Sequence, residues 1–234
     1  MDENIENTNS LHKKVFPVNA NGKCSIAIFF VAILVITVLT ALRWVIMLAN
    51  SYAARLCLIM LVIVSYTAVA VVAMVLTGQV KTLLPPKKKL WLQILIGIGI
   101  AAVLCFFVCI LPILCGTSLI GIHNDMTVGR IILSAVQDLI FVGVGEEIVF
   151  RGYVQNQFAI WLKKCKWLAP LIAAAIFGLW HLINGSLIQV LFTTLIGCVF
   201  GYAKYFIKDC SLLSVIIAHG LYDFSIVLLT CFML

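Results

Sequence analysis

Long apolar runs, separated by short polar stretches, dominate the pattern along this chain. A helix needs roughly 20 apolar residues to cross a hydrocarbon core about 30 Å thick, and it satisfies its backbone hydrogen bonds within itself. The pattern therefore predicts an all-α bundle of about seven transmembrane helices, of which the fifth and sixth are short. The predicted helices cover about residues 25–48, 57–77, 91–114, 132–155, 168–184, 186–203 and 211–232.

Composition supports a membrane protein. Of the 234 residues, 64% are hydrophobic and 11% are charged, whereas a soluble domain is about 45–50% apolar and about 25% charged. These values exclude a water-soluble globule. The nine cysteines are scattered and form no C-x-x-C pair, so neither a disulfide framework nor a zinc knuckle is indicated.

The net charge of +7 comes mainly from basic residues between the apolar runs, which is typical of membrane topology rather than of nucleic-acid binding. In the seven-helix arrangement Arg43, Arg55 and Arg130 lie near one side, and twelve lysines lie on the other. Because cytoplasmic loops are enriched in Lys and Arg, the N-terminus is predicted to be cytoplasmic and the C-terminus outside. The lysines are Lys13, Lys14, Lys23, Lys81, Lys87, Lys88, Lys89, Lys163, Lys164, Lys166, Lys204 and Lys208.

The chain is predicted to have three parts. Residues 1–24 form a polar N-terminal tail, and residues 25–114 supply three helices without chemical motifs. Residues 130–232 hold the polar side chains that stand out inside apolar helices.

Four of these polar side chains are predicted to form one site. A charge near the bilayer centre costs at least about 2.5–3.5 kcal/mol, so it is normally paired or faces a cavity. At about 1.5 Å per residue, three helices bring two carboxylates and two imidazoles to a similar depth in the lysine-rich half of the membrane. These residues are Glu146, His181, His219 and Asp223.

Other polar residues are expected to play supporting parts. Glu147 and Arg151 are four residues apart, so they can form an ion pair on one helix face and leave Glu146 to face a cavity. Asp138 is expected near the outer rim, away from the site, and Arg43 near the membrane interface, where its side chain can snorkel.

Three motifs in this region resemble those of a known family. They are E-E-x-x-x-R at residues 146–151, F-x-x-x-H at residues 177–181 and H-x-x-x-D at residues 219–223. In this order, each on its own predicted helix, they are similar to the motifs of the CAAX protease and bacteriocin-processing (CPBP, or Abi) family of intramembrane proteases. Asp223 stands where the prenyl-protein proteases of that family carry asparagine, which weakens the case for a prenylated substrate.

The resemblance implies hydrolysis of a peptide bond within the membrane. Glu146 would be the general base that activates water, and His181 would help to hold and polarise that water. His219 would stabilise the oxyanion, with Asp223 orienting it or taking the part of the family's asparagine. Glu147 and Arg151 would fix the helix and tune Glu146. The implied substrate is a membrane-bound, lipidated or amphipathic peptide.

The residues alone leave two forms of hydrolysis open. Glu146, His181 and His219 are also a two-histidine, one-carboxylate set of the kind that binds catalytic zinc. The metal-independent form is favoured, because the glutamate and the histidines account for the reaction without a cofactor.

Two other function classes compete with the protease hypothesis. One is a non-catalytic membrane protein, such as a bacteriocin self-immunity factor that acts by binding. The other is a small transporter with a carboxylate proton relay, although the chain lacks an evident internal repeat. The expected surroundings are the lipid bilayer of a bacterial plasma membrane, without a nucleic-acid partner.

Overall fold

Seven helices form the part of the chain that the computed structural model describes, residues 22–48, 51–83, 89–116, 127–183 and 185–232. None of these residues belongs to a β-strand. Six of the helices are long and apolar enough to cross a membrane, which confirms a polytopic all-α membrane protein. The helices are α1 (Ser25–Ile46), α2 (Tyr52–Leu76), α3 (Leu90–Leu114), α4 (Val128–Trp161), α5 (Leu168–His181), α6 (Leu187–Phe206) and α7 (Leu212–Phe232).

The fourth helix differs most from its predicted range, followed by the second, which begins at Tyr52 rather than at residue 57. α4 has 34 residues rather than the predicted 132–155, and at 1.5 Å per residue it is about 51 Å long. Its polar last turns, which interrupt the apolar run, stay helical because residues 155–157 are buried in the bundle. α5 has 14 residues and a length of about 21 Å, shorter than the hydrocarbon core.

Two predicted features lie mostly outside the described residues. Of the polar tail at residues 1–24, only the last three residues are described, and they begin the helix that continues as α1. Lys13, Lys14, Lys87 and Lys88 also lie outside the described residues. The division into a tail, three motif-free helices and a motif-bearing part, and the side on which each terminus lies, stay predictions.

Contacts between helix ends show that the helices alternate in direction. The starts of α3 and α7 lie together, because Lys89 Nζ is 3.0 Å from Asp209 Oδ2 and Ser214 Oγ donates to Gln93 Oε1 (2.7 Å). The segment after α2 meets the last turns of α4, where Gln79 donates to Gln157. We call this end of the bundle the lysine face, because Lys81, Lys89, Lys163, Lys164, Lys166 and Lys208 lie on it.

The other end of the bundle is the opposite face. There the end of α1 meets the end of α5, since Trp44 Nε1 donates to the carbonyl of Ile183 (2.8 Å). The starts of α2 and α4 also lie side by side, with Tyr52 Oη 3.4 Å from Ser134 Oγ. The ends of α1, α3 and α5 and the starts of α2, α4 and α6 therefore belong to the opposite face.

Glycines allow close approach between helices that carry the site. A Cβ on Gly143 of α4 would lie 2.9 Å from the backbone nitrogen of Gly220 in α7, and a Cβ on Gly220 would lie 2.9 Å from Leu139 Cα. Small residues at such crossings are typical of membrane helix pairs. The close approach brings the acidic pair of α4 next to His219.

The α3–α7 crossing yields a stability prediction with a matched control. A Cβ on Gly97 would lie 2.7 Å from the carbonyl oxygen of Ser214 and 2.8 Å from Ile217 Cβ, whereas a Cβ on Gly99 meets nothing within 4 Å. Overpacking of this kind costs about 1–3 kcal/mol. Gly97→Ala should therefore lower the midpoint of thermal unfolding in detergent micelles, and Gly99→Ala should not. Equal midpoints for the two variants would contradict this packing.

Candidate active site

A cavity of about 900 Å³ brings the four predicted site residues together. Glu146, His181, His219 and Asp223 all contribute to its lining. Glu146 is 5% exposed and His219 is 4% exposed, so these two groups are buried within the bundle, whereas His181 and Asp223 are partly exposed. Three helices, α4, α5 and α7, thus supply one polar centre.

His219 is the centre of the contacts in this group. Its Nδ1 donates to Glu147 Oε1 at 2.8 Å. Its Nε2 lies 3.3 Å from Asp223 Oδ2 and 3.9 Å from Glu146 Oε2. Carboxylates therefore face both ring nitrogens, and the hydrogen bond to Glu147 fixes the orientation of the imidazole ring.

Glu147 also binds Arg151, as the four-residue spacing predicted. Arg151 Nη1 donates to Glu147 Oε1 at 2.7 Å, and Nη2 donates to the carbonyl of Gly197 at 3.0 Å. The guanidinium lies over the rings of Phe177 (4.6 Å) and Phe200 (5.3 Å), an arrangement in which cation–π attraction adds to the ion pair. A single carboxylate oxygen of Glu147 thus joins the arginine to the histidine.

The backbone of α4 is irregular on both sides of the acidic pair. The α-helical segment Gly143–Glu147 lies between two π-helical segments, Gln137–Val142 and Ile148–Val154. Segments with this wider hydrogen-bond pattern are rare and are frequent at functional sites. Because a π-helical turn contains more residues than an α-helical turn, the side chains around Glu146 point in directions that differ from those in a regular α-helix.

His181 presents one nitrogen to the cavity. Its Nδ1 is 2.8 Å from the carbonyl oxygen of Phe177, and because a carbonyl only accepts, Nδ1 carries the hydrogen in this contact. In the neutral ring, Nε2 is then an acceptor. The ring is held edge-on by Phe177 and Trp180, at centroid distances of 4.6 and 5.6 Å. His181 can therefore accept a hydrogen bond from a water molecule in the cavity.

Asp138 belongs to this region, and the expectation that it lies at the outer rim is wrong. It is 8% exposed and lines a second cavity of about 360 Å³ together with Glu146, His181 and Asp223. A regular α-helix would place positions 138 and 146 about 80° apart. The π-helical segment that begins at Gln137 changes this relation, and the sequence carries no signal for it.

Arginines and polar residues also line the cavities, where sequence reasoning did not place them. Arg43, expected at the interface, lines the smaller cavity. Tyr52, Arg55, Arg130 and Ser134 line the larger one, and the Arg130 guanidinium lies 4.8 Å from the centre of the Tyr52 ring. These four residues of the larger cavity come from the first turn of α2 and the first two turns of α4. Only the packing of those two helices shows that their side chains face the cavity.

Glu146, His181 and His219 are the side chains that a catalytic zinc ion would need as ligands. Among the described residues, no three His, Cys, Asp or Glu side chains are arranged so that they could hold a metal ion. His219 directs Nδ1 to Glu147 rather than to a shared centre with His181. No step proposed below passes through a metal ion.

The buried ion pair yields a prediction about stability. Removing one partner of a buried pair costs about 3–5 kcal/mol, because the other charge is left uncompensated. Arg151→Met should therefore lower the thermal stability of the purified protein strongly. Arg55→Met, the same change at a partly exposed position, should shift it little. Similar stability for the two variants would contradict the role assigned to the pair.

Comparison with known proteins supports the motif assignment. Residues 128–225 match the family model described as type II CAAX prenyl endopeptidase Rce1-like. No curated protein and no solved structure matches the chain. The matched residues include Glu146, Glu147, Arg151, His181, His219 and Asp223. The match agrees with the resemblance to the CAAX protease and bacteriocin-processing family: residues 128–225 of this membrane protein are similar to Rce1-like type II CAAX prenyl endopeptidases.

Proposed function

We propose that this protein is an intramembrane endopeptidase that hydrolyses a peptide bond of a membrane-associated or lipidated peptide, with Glu146 as the general base. The observation that carries the proposal is the convergence of Glu146, His181 and His219 on one buried cavity within the segment that matches the endopeptidase model. The proposed location is the plasma membrane of a bacterial cell.

Water activation is assigned to Glu146 and His181. A water molecule in the cavity would donate one hydrogen bond to the Glu146 carboxylate and one to His181 Nε2, whose acceptor state follows from the Nδ1 contact with Phe177. Glu146 takes a proton from the water as its oxygen attacks the carbonyl carbon of the peptide. General-base catalysis by a positioned carboxylate contributes typically 10²- to 10⁴-fold.

Oxyanion stabilisation is assigned to His219. The attack breaks the carbonyl π bond and places a negative charge on the former carbonyl oxygen. In its protonated form His219 Nε2–H can donate to that oxygen while Nδ1–H stays on Glu147. Asp223, 3.3 Å from Nε2, orients the ring before substrate binds. Donors of this kind are effective because their position is fixed before the reaction begins.

Collapse of the tetrahedral intermediate completes the reaction. The C–N bond breaks, and the proton held by Glu146 passes to the leaving nitrogen. This transfer leaves Glu146 ionised again, and the products are a new amine and a new carboxylic acid, which loses its own proton to water and becomes a carboxylate. Glu147 acts as a positioning residue, because its Oε1 accepts hydrogen bonds from both Arg151 and His219.

The cavity suits a peptide with apolar side chains. Besides the ionisable groups, its lining includes Ile188, Phe192, Ile196 and Ile226. Ligand pockets of about 300–1,000 Å³ lined by apolar groups with a few placed polar ones are typical of small-molecule and cofactor sites. A segment of a few residues in extended form fits a space of this size.

The general-base assignment predicts the effect of two substitutions. Glu146→Gln and His181→Ala should each lower the cleavage rate of membrane-tethered peptide reporters by at least about 100-fold. Asp209→Asn is the matched carboxyl-to-amide control, because Asp209 lies on the lysine face beside Lys89, and it should cleave at the wild-type rate. Thermal unfolding of each variant checks that the fold is kept.

Retained cleavage in Glu146→Gln would contradict the proposal. If Glu146→Gln lost cleavage but kept the cellular phenotype of the wild type, that phenotype would come from binding, as the self-immunity hypothesis requires.

Metal dependence is a separate prediction. Cleavage should persist after incubation with a strong chelator, because Glu146 and His181 act on water directly. Loss of cleavage in chelator, restored by zinc, would contradict this form of the mechanism and would assign Glu146, His181 and His219 as zinc ligands. Asp209→Asn protein treated in parallel controls for nonspecific effects of the chelator.

A further inference from the structure

We infer that the cavity is entered from the opposite face of the bundle, so that substrate reaches the site from the non-cytoplasmic side of the membrane. This inference deepens the proposed function, on which its statement about substrate rests. The sidedness of the cavity itself follows from helix direction, lining residues and charge, and it can be tested without any assay of cleavage.

The cavity lining comes from helix ends that meet at the opposite face. Tyr52 and Arg55 lie in the first turn of α2, and Arg130 and Ser134 in the first two turns of α4. His181 is the last residue of α5. Other lining residues come from the same ends of the helices. Ser186, Ile188 and Gln189 lie at the start of α6. Val108 and Cys109 lie near the end of α3, and Val227 and Thr230 lie near the end of α7.

Buried polar contacts fill the bundle on the lysine side of the site. Lys204, 7% exposed, donates to the backbone carbonyl of Arg151 and to Asn156 Oδ1. Gln155 donates to the carbonyl of Gly201 at 3.2 Å. Because these buried, hydrogen-bonded side chains fill the space towards the lysine face, Glu146 and His219 can be reached through the cavity only from the opposite face. None of the residues that line the larger cavity is a lysine.

Charge then assigns the two faces to the two sides of the membrane. Six lysines lie on the lysine face among the described residues, as named above, whereas the arginines near the opposite face are Arg43, Arg55 and Arg130. Cytoplasmic loops carry the excess of Lys and Arg in membrane proteins. The lysine face is therefore the cytoplasmic one, and the cavity opens outward.

Sidedness restricts the class of substrate. A peptide bond that reaches Glu146 from outside belongs to an exported peptide or to an outer segment of a membrane protein close to the bilayer. A substrate protein with a lipidated C-terminus in the cytoplasmic leaflet would have to approach from the lysine face. There the buried contacts of Lys204 and Gln155 block the way to the cavity. The inferred substrate is therefore an extracytoplasmic peptide segment with apolar side chains.

Two native cysteines allow a direct test in intact cells. Cys115 follows α3 on the opposite face, Cys165 lies between α4 and α5 on the lysine face, and both are exposed. A membrane-impermeant maleimide, followed by peptide mass spectrometry, should modify Cys115 in intact cells and Cys165 only after permeabilisation. Modification of Cys165 with protection of Cys115 in intact cells would overturn the inference.

A cysteine introduced into the cavity lining tests directly from which side the cavity can be reached. Gln189 is exposed and lines both cavities, so Gln189→Cys should be modified from outside together with Cys115. Protection of that cysteine in intact cells, with modification in inverted vesicles, would show that the cavity opens to the cytoplasm and would overturn the inference.

Oriented reporters separate this inference from the proposed function. Reporters that carry the same peptide on the outer or the inner side of a membrane anchor are expressed with wild-type protein or Glu146→Gln. Glu146-dependent cleavage of the outer reporter alone is expected, and cleavage of the inner reporter alone would overturn the inference. Absence of cleavage on either side, with the labelling result unchanged, would count against the protease and leave the sidedness of the cavity established.

Discussion

A charged guanidinium buried in a membrane bundle must be neutralised, and the candidate site depends on how this is done. Arg151, fully buried, donates from Nη1 to Glu147 and from Nη2 to the carbonyl of Gly197. The same Glu147 oxygen accepts from His219. The contact that keeps the charge tolerable in a low-dielectric interior is therefore also the contact that orients an imidazole in the cavity, and it ties α4, α6 and α7 together.

In the proposed mechanism the two adjacent glutamates have different tasks. Glu147 is held by two partners and supports the geometry, whereas Glu146 Oε2 approaches His219 Nε2 only to 3.9 Å and lines both cavities. A base must be able to exchange a proton with water and substrate, which suits the less constrained carboxylate. The helix achieves this division through the short α-helical segment between two π-helical segments.

Much of this arrangement could be predicted from the sequence, because ionisable residues in apolar helices stand out. Glu146, His181, His219 and Asp223 were expected in one site and do line one cavity, and the spacing of Glu147 and Arg151 predicted their ion pair. Asp138 was misplaced because its position along α4 indicated a place near the rim, whereas the packing of the helices buries it beside the second cavity. The direction in which the cavity opens depends on packing between helix ends, and the inward-facing first turns of α2 and α4 show no distinguishing pattern in sequence.

The most direct test of this account is a double-mutant cycle between Glu147 and His219, read out as the single-turnover cleavage rate of a reporter peptide. The variants are Glu147→Gln, His219→Asn and the double substitution, each checked for thermal stability. If Glu147 acts by orienting His219, the double variant should be no slower than His219→Asn, since residues in one hydrogen-bonded unit are not additive. Rate losses that multiply in the double variant would show that the two residues act independently and would contradict the account.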